Sequence, residues 1–506
     1  MDPTPVVEIE RKYDVGDGTA VPPLEHLPGV ARVDPPAEHR LEATYFDTAD
    51  LLLASLRITL RRRTGGGDAG WHLKLPLAAD ERCEYREPLG VEPDGVPEPL
   101  LRLIRVHSRD AALVPVVRLR TRRTVHRLRG ESDDVLAEFS EDRVKAKVLA
   151  PKGSELHWRE WEFELVDGSR ELLDAGQELL AAAGVRLAGH SSTLARALGP
   201  RLNRGTAALP PPKRKASAAD VLLAYLREHV EALKDEDPRV RLDAHAAVHG
   251  MRVATRRIRS VLATYRELLA DADAVNFLRQ ELKWLAGVLG EARDAEVMHE
   301  RLKDLVAAEP VELVMGPVVR RIDLQLGADY HKAHTDVVNA LNGQRYFRLL
   351  DALEALLAAP ALTPLASGRA HKVIPKLIRR DVKRLRKAAR KAVRHTAGTG
   401  DDPALHEARK DGKRLRYAAE AAAPINPARA AQLADAAHGV QKILGDHQDS
   451  VVTRELLRRL GAEAFLEGEN GFTFGRLHAL EQSRALKAEA RFHREWKNFR
   501  TPPLKK

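Results

Sequence analysis

Over residues 1–200 apolar and polar side chains alternate with a period of two in several short stretches; beyond 218 the period lengthens to that of helices. Val7–Tyr13, Leu56–Arg63, Trp71–Leu75, Val114–His126, Val135–Asp142 and Trp158–Leu165 read as strands, because successive side chains of an extended chain point to opposite faces. Glu8, Glu10 and Lys12 oppose Val7, Ile9 and Tyr13, while Arg57, Thr59, Arg61 and Arg63 oppose Leu56, Ile58 and Leu60. His72 and Lys74 oppose Trp71 and Leu73, and Arg118, Arg120 and Arg122 oppose Val117, Leu119 and Val125. Glu160, Glu162 and Glu164 oppose Trp161, Phe163 and Leu165. The apolar faces need cover, which a helix over Glu171–Ala183 would supply. A sandwich with wet outer faces accounts for any single strand. Six strands with charge so segregated favour a closed sheet with charges pointing inward. Acids on the first and last strands would hold divalent metal, and cations on the middle ones would clamp a multi-phosphate chain.

Residues 205–219 form a Pro-rich basic connector, and 218–500 carry long amphipathic helices rich in Ala, Leu, Arg and Lys. Two of these helices open on the same basic pattern. His249, Arg252, Arg256 and Arg259 repeat as His406, Arg409, Lys413 and Arg416, with Lys410 beside the second set. Positions i, i+3, i+7 and i+10 share one helix face, so each segment predicts a His followed by three cations in a stripe. Each stripe is followed by a Leu-Gly-acid segment, Leu289-Gly290-Glu291 and Leu444-Gly445-Asp446, read as a turn leading to Asp294 or Asp449. Matched features at matched spacing predict a duplication, each copy a helical bundle, over about 218–355 and 368–500. The stretch Lys372–Arg394 adds a further run of cations at helical spacing. Self-repelling stripes call for an anionic partner with closely spaced charges.

The 506 residues allow two to four domains, and a formal net charge of +10 favours a polyanion. Aromatics are only 5% of residues and do not interleave with the cations, which disfavours nucleic acid. The lone cysteine, Cys83, fits a reducing compartment, and the apolar runs are too short for a membrane span, so the cytoplasm is expected. Zinc-ligand spacings, a P-loop and a nucleophile elbow are absent from the sequence.

Glu8-Ile-Glu10-Arg-Lys12 resembles the ExExK signature of the CYTH, or triphosphate tunnel metalloenzyme, family. Thr44-Tyr45-Phe46-Asp47-Thr48, Leu60-Arg61-Arg62-Arg63, Trp71-His72-Leu73-Lys74, Arg82-Cys83-Glu84-Tyr85, Arg120-Thr121-Arg122-Arg123 and Glu160-Trp161-Glu162-Phe163-Glu164 follow in the family's order, over about 4–200. The His-led stripes resemble the CHAD, or conserved histidine α-helical, family over 218–500, after a linker at 201–217. The resemblance implies an α+β chain: an eight-stranded antiparallel β tunnel barrel with flanking helices, then tandem all-α bundles with an internal two-fold repeat. It also implies a bacterial inorganic triphosphatase using Mg²⁺ or Mn²⁺, with polyphosphate bound by the helical stripes. Carried onto this chain, Glu8, Glu10, Glu162 and Glu164 would hold metal. Arg61, Arg63, Lys74, Arg120 and Arg122 would bind triphosphate, and Lys12, Glu84 and Glu160 would serve catalysis. Ser140 stands where related triphosphatases often carry Asp, and Thr193 where a Ser-Lys pair is usual. Two alternatives stay open: a non-catalytic polyphosphate-binding scaffold, and a nucleotide or thiamine triphosphate enzyme, adenylyl cyclase-like, on the same tunnel. Oligomeric state is not legible in the sequence.

Overall fold

The computed structural model describes residues 5–78, 80–90, 95–149, 153–202, 212–213, 215–394 and 403–501. Most of the expected connector lies outside them. The chain divides into two compact units, Met1–Ala208 and Leu209–Lys506.

The first unit holds β1 (Val6–Val15), β2 (Arg32–Val33), β3 (Ala37–Asp47), β4 (Thr59–Thr64), β5 (Gly70–Pro76), β6 (Glu81–Glu87), β7 (Val114–Arg129), β8 (Val135–Val148), β9 (Ser154–Leu165) and β10 (Arg186–Leu187). Four helices accompany them: α1 (Leu52–Ser55), α2 (Glu98–Ser108), α3 (Arg170–Ala182) and α4 (Thr193–Leu198). Eight strands pair antiparallel in the order β1-β6-β5-β4-β3-β7-β8-β9, and β9 pairs back onto β1. Closure leaves these eight without a free edge.

The outer wall is apolar where α3 lies on it: Phe139, Trp161, Phe163 and Leu128 pack with Leu172, Leu173 and Leu180. Gly176 lets α3 come down onto the Phe163 ring, which a Cβ would meet at 3.0 Å. The inner wall changes character along its length. Ala43, Tyr45, Leu119, Val144 and Ala146 pack with Leu194, Ala197 and Leu198 of α4. Ser192 caps α4, accepting from the Ala195 N–H at 3.0 Å. The remainder of the interior is charged.

Two barrel strands, β3 and β6, escaped the alternation test because neither has a clean apolar face. Alternate positions of β6 read Arg82, Glu84, Arg86 on one side and Glu81, Cys83, Tyr85, Glu87 on the other. β4 begins at Thr59 rather than Leu56, because Arg57 adopts a left-handed φ of 64° before the strand.

The second unit contains α5 (Ala218–Arg241), α6 (Ala247–Thr264), α7 (Ala272–Ala307), α8 (Val318–Leu341), α9 (Gln344–Ala358), α10 (Ala370–Arg394), α11 (Pro403–Ala421), α12 (Pro427–Leu466) and α13 (Phe472–Trp496). Ser217 and Asp220 form a reciprocal capping box on α5, and Asn426 followed by Pro427 starts α12. Consecutive helices pack from α5 to α8 and again from α10 to α13, and α6 meets α11 across the two sets. Tyr265 donates to the Ala418 carbonyl at 2.7 Å along that seam, and Thr264 donates to buried Asp381 at 2.6 Å. The Leu-Gly-acid segments are not turns: both lie inside the long helices α7 and α12. Among the described residues, no helix is long and apolar enough to cross a membrane.

Candidate functional site

Strand register decides which side chains enter the barrel. Glu10 lies opposite Glu164 and Lys12 opposite Glu162; Ser140 is opposite Glu162, and Asp142 opposite Glu160. Lys74 lies opposite both Thr59 and Glu84, and His72 is opposite Arg61. On β7 the residue in this ring is Arg123, paired in register with Asp142. Arg120 and Arg122 point the other way, so the expectation that they line the tunnel is corrected. The Arg120 side chain is 78% exposed and pairs with Glu42 at 3.0 Å. The inner face of β7 begins apolar, with Val117 and Leu119 against α4, and turns polar only at Arg123. Assigning all charges of the strand to the inside therefore inverted its register.

Inside, opposite charges interlock. Lys12 donates to Glu162 and lies 3.4 Å from Glu10. Lys74 donates to Glu8 and lies 3.7 Å from Glu84. Arg123 grips Asp142 with Nε at 2.8 Å and Nη2 at 2.5 Å, and also donates to Glu162 at 2.5 Å. Arg61 donates to the Tyr45 hydroxyl at 3.3 Å, and Arg63 pairs with Asp68.

Glu84 is fully buried, with His72 Nδ1 2.9 Å from one oxygen and Arg86 donating to the other. The second His72 nitrogen faces the Asp68 carbonyl at 2.9 Å. Both ring nitrogens thus face acceptors, while burial, with Arg61 and Arg63 nearby, brings the imidazole down to about 4 against the pull of Glu84. Glu160 is likewise engaged, accepting from Thr193 Oγ1 and Trp158 Nε1, each at 2.7 Å. Among the described residues, Glu164 has no hydrogen-bond partner.

Burial and charge pull these carboxyls apart. Burial alone would raise Glu10, yet Lys12, Lys74 and Arg82 outweigh it and hold the group at about 2. Burial pushes Asp142 up to about 6 against the pull of Arg123. It pushes Glu164 up to about 7, reinforced by Glu8, Glu10 and Glu162. Arg63 drops to about 9 through burial and the nearby Arg61 and Arg123.

Asp142, Glu160 and Glu162 bring one ligand oxygen each to within 4.8 Å of one another, all three residues buried. Such a trio suits a hard divalent cation, which takes carboxylate oxygens. It shares only Glu162 with the expected set. Glu8 and Glu10 face Lys74, Arg86, Lys12 and Arg82, just as Asp142 and Glu162 face Arg123 and Lys12, so ion pairing does not separate the two sets. Asp142 shares a strand face with Ser140, two residues away, and that parity was the available signal.

In the helical unit the stripes meet only in part. Arg252 binds Asp294 at 2.8 Å and Arg409 lies 3.8 Å from Asp449, one such pair from each copy. The glycines before those acids lie beside the same arginines: a Cβ at Gly290 would sit in ordinary contact with the Arg252 guanidinium at 3.4 Å, and one at Gly445 with Arg409 at 4.0 Å. Lys413 sits with Arg409, Arg256 and Arg252, and burial followed by these cations brings it down to about 7. His249 faces Arg293 and Arg256, and His406 Nδ1 lies 2.9 Å from Gln448. Arg259 lies beside Arg279, Arg416 is held by Glu420 at 2.8 Å, and exposed Lys410 pairs with Glu407. The last cation of each stripe thus stands outside the shared cluster.

Residues 7–197 match the CYTH domain model and 224–458 the CHAD domain model. A protein of Mycobacterium tuberculosis strain CDC 1551 / Oshkosh, described as uncharacterized, is 41% identical over 493 residues, covering 94% of this chain and 93% of its own. Two solved structures resemble part of the chain, each with a TM-score of 0.46. PptA from Streptomyces chartreusis is 22% identical, with 56% of this chain and 100% of that one covered. The CHAD domain from the plant Ricinus communis is 23% identical, with coverage of 59% and 99%. The two domain matches, borne out by the closed eight-stranded barrel and the helical tandem, place the chain in the family of proteins that join a CYTH domain to a following CHAD domain.

Proposed function

We propose that the barrel hydrolyses inorganic triphosphate or short polyphosphate with a divalent metal, and that the helical unit binds polyphosphate. The observation that carries this reading is the polarity of the barrel interior. Asp142, Glu160 and Glu162 converge at one wall, while Arg61, Arg63 and Lys74 stand on β4 and β5. Arg61, Arg63, Lys74, Lys12 and Arg123 neutralise the phosphate chain and hold its terminal group, stabilising charge as the anhydride breaks. Asp142, Glu160 and Glu162 would hold Mg²⁺ or Mn²⁺, which would supply neutralisation of the phosphate chain's charge. Water adds to the terminal phosphorus, the P–O bond to the leaving chain breaks, and Glu164, whose oxygens are free of partners among the described residues, takes the proton. Glu84, with both oxygens engaged, positions Lys74 and His72. In the helical unit, Arg252, Arg256, Arg409 and Lys413, flanked by His249 and His406, carry the polyphosphate.

Phosphate release from tripolyphosphate, ATP and thiamine triphosphate, each with Mg²⁺ or Mn²⁺, tests the reading. Tripolyphosphate is expected to turn over fastest, and Glu162→Gln to lose at least a hundredfold in kcat. The interlocked pairs Lys12–Glu162 and Lys74–Glu8 favour a second reading, a self-neutralised tunnel that binds anions without cleaving them. Absence of turnover with every substrate and metal would leave that one standing.

A further inference from the structure

Arg122, removed from the tunnel by its register, belongs to a different arrangement on the outer wall. Arg40 lies opposite Arg122, Arg122 opposite Arg143, and Arg143 opposite Arg159, in four adjacent strands β3, β7, β8 and β9. At a strand spacing of about 4.8 Å the row runs roughly 14 Å straight across the sheet. One residue step of two along the strands, Arg120 lies opposite Lys145, extending the grid. Together they line an open cavity of about 680 Å³.

Like charges directly opposite each other destabilise a sheet, so such a row needs either facing acids or another use. Facing acids are scarce. Arg159 is held by the carbonyls of Gly16, Asp17 and Thr19 and lies 3.4 Å from Glu141, Arg120 pairs with Glu42, and exposed Asp17 is the other acid lining the cavity. Among the described residues, Arg40, Arg122, Arg143 and Lys145 make no hydrogen bond or ion pair, and all four are exposed. The cavity offers a base little to stack on beyond the exposed His157. Its one aromatic besides His157 is Trp158, which turns its indole N–H inward to Glu160.

We infer that this arginine row on the outer barrel wall is a second binding site for a linear inorganic polyphosphate, separate from the tunnel and from the helical stripes. The cations are closely spaced, run in one line and lack bidentate carboxylate partners, which fits a chain of unadorned phosphates carrying charge on every unit. The site would hold a long chain against the outside of the barrel while only a terminal segment enters a tunnel. This inference rests on polyphosphate being the protein's ligand.

The test uses the full chain with the helical cluster silenced by Arg252→Ala, Arg256→Ala and Lys413→Ala. Long-chain polyphosphate binding is then measured with and without Arg40→Thr and Arg143→Thr, which remove both neighbours of Arg122 and suit a strand. Residual binding is expected to fall about tenfold on adding the two threonines. Tripolyphosphate turnover should be unaltered, and the melting temperature should hold or rise as opposed like charges are removed. Residual binding unchanged by the threonines, or absent before they are introduced, overturns the outer site. Displacement by duplex DNA at equal phosphate concentration also overturns it, in favour of a nucleic-acid surface. Wild-type protein that binds no polyphosphate at all sinks instead the functional reading on which the inference depends.

Discussion

Lys413 concentrates the physical case for an anionic ligand in one ammonium group. Buried beside Arg409, Arg256 and Arg252, and opposed by Asp449, it is brought from 10.5 down to about 7. Its folded value lies below its unfolded one, so between about pH 7 and 10.5 the unfolded chain binds more protons and stability rises with pH. A polyanion laid over these cations restores the proton, so binding takes up a proton and weakens as pH climbs above 7. Lys413→Met is expected to stabilise the free protein by on the order of 1 kcal/mol, since an apolar group replaces a cation among cations. The same change should abolish proton uptake on polyphosphate binding, read by calorimetry at pH 8 in buffers of different ionisation enthalpy. Uptake that persists in the variant would place the titrating group elsewhere. The stripe positions were legible because i, i+3 and i+7 spacing is local. Which cations converge was not, because that depends on how α6 meets α11.

At the scale of elements, local pattern succeeded where each face had one character and failed where a face changed along its length. β1 from Glu8 to Lys12, β5 at His72 and Lys74, and β9 from Glu160 to Glu164 have polar interior positions, and these inward residues could be named from alternation. β7 is 16 residues long and passes from apolar contacts with α4 to the Arg123 contacts with Asp142 and Glu162, so parity alone misled. Gly290 and Gly445 misled for another reason: glycine weakens a helix interior, yet both sit within long helices, α7 and α12, that continue through them. Helix-to-helix chemistry of this sort also fixes the seam. Asp381 of α10 accepts from Thr264 of α6 and Arg414 of α11, the latter at 3.1 Å. Asp381→Ala strands both donors and should cost about 2 kcal/mol, the Arg414 share reduced because its side chain keeps 23% exposure. Chemical denaturation would read this. A loss below about 0.5 kcal/mol would mean that the seam is held by apolar packing alone.

For the whole molecule, two compact units with separate charged sites predict that the proposed catalysis and the proposed capture are separable. The tunnel confines its cations and carboxylates within one barrel, where Lys12, Lys74 and Arg123 are each opposed by a carboxylate. The helical cluster gathers Arg252, Arg256, Arg409 and Lys413 with Asp294 and Asp449 against them, so its field reaches outward and responds strongly to salt. Glu162→Gln should therefore remove tripolyphosphate turnover while leaving long-chain binding within twofold. Arg256→Ala with Lys413→Ala should do the reverse, weakening long-chain binding at least tenfold with tripolyphosphate kcat unchanged. Raising salt from 50 to 200 mM should weaken long-chain binding far more than it raises the KM for tripolyphosphate, because the buried tunnel pairs are screened less than the open cluster. Measuring both properties in both variants decides the matter. If either substitution moved turnover and long-chain binding together, the two units would share one site rather than each carrying its own.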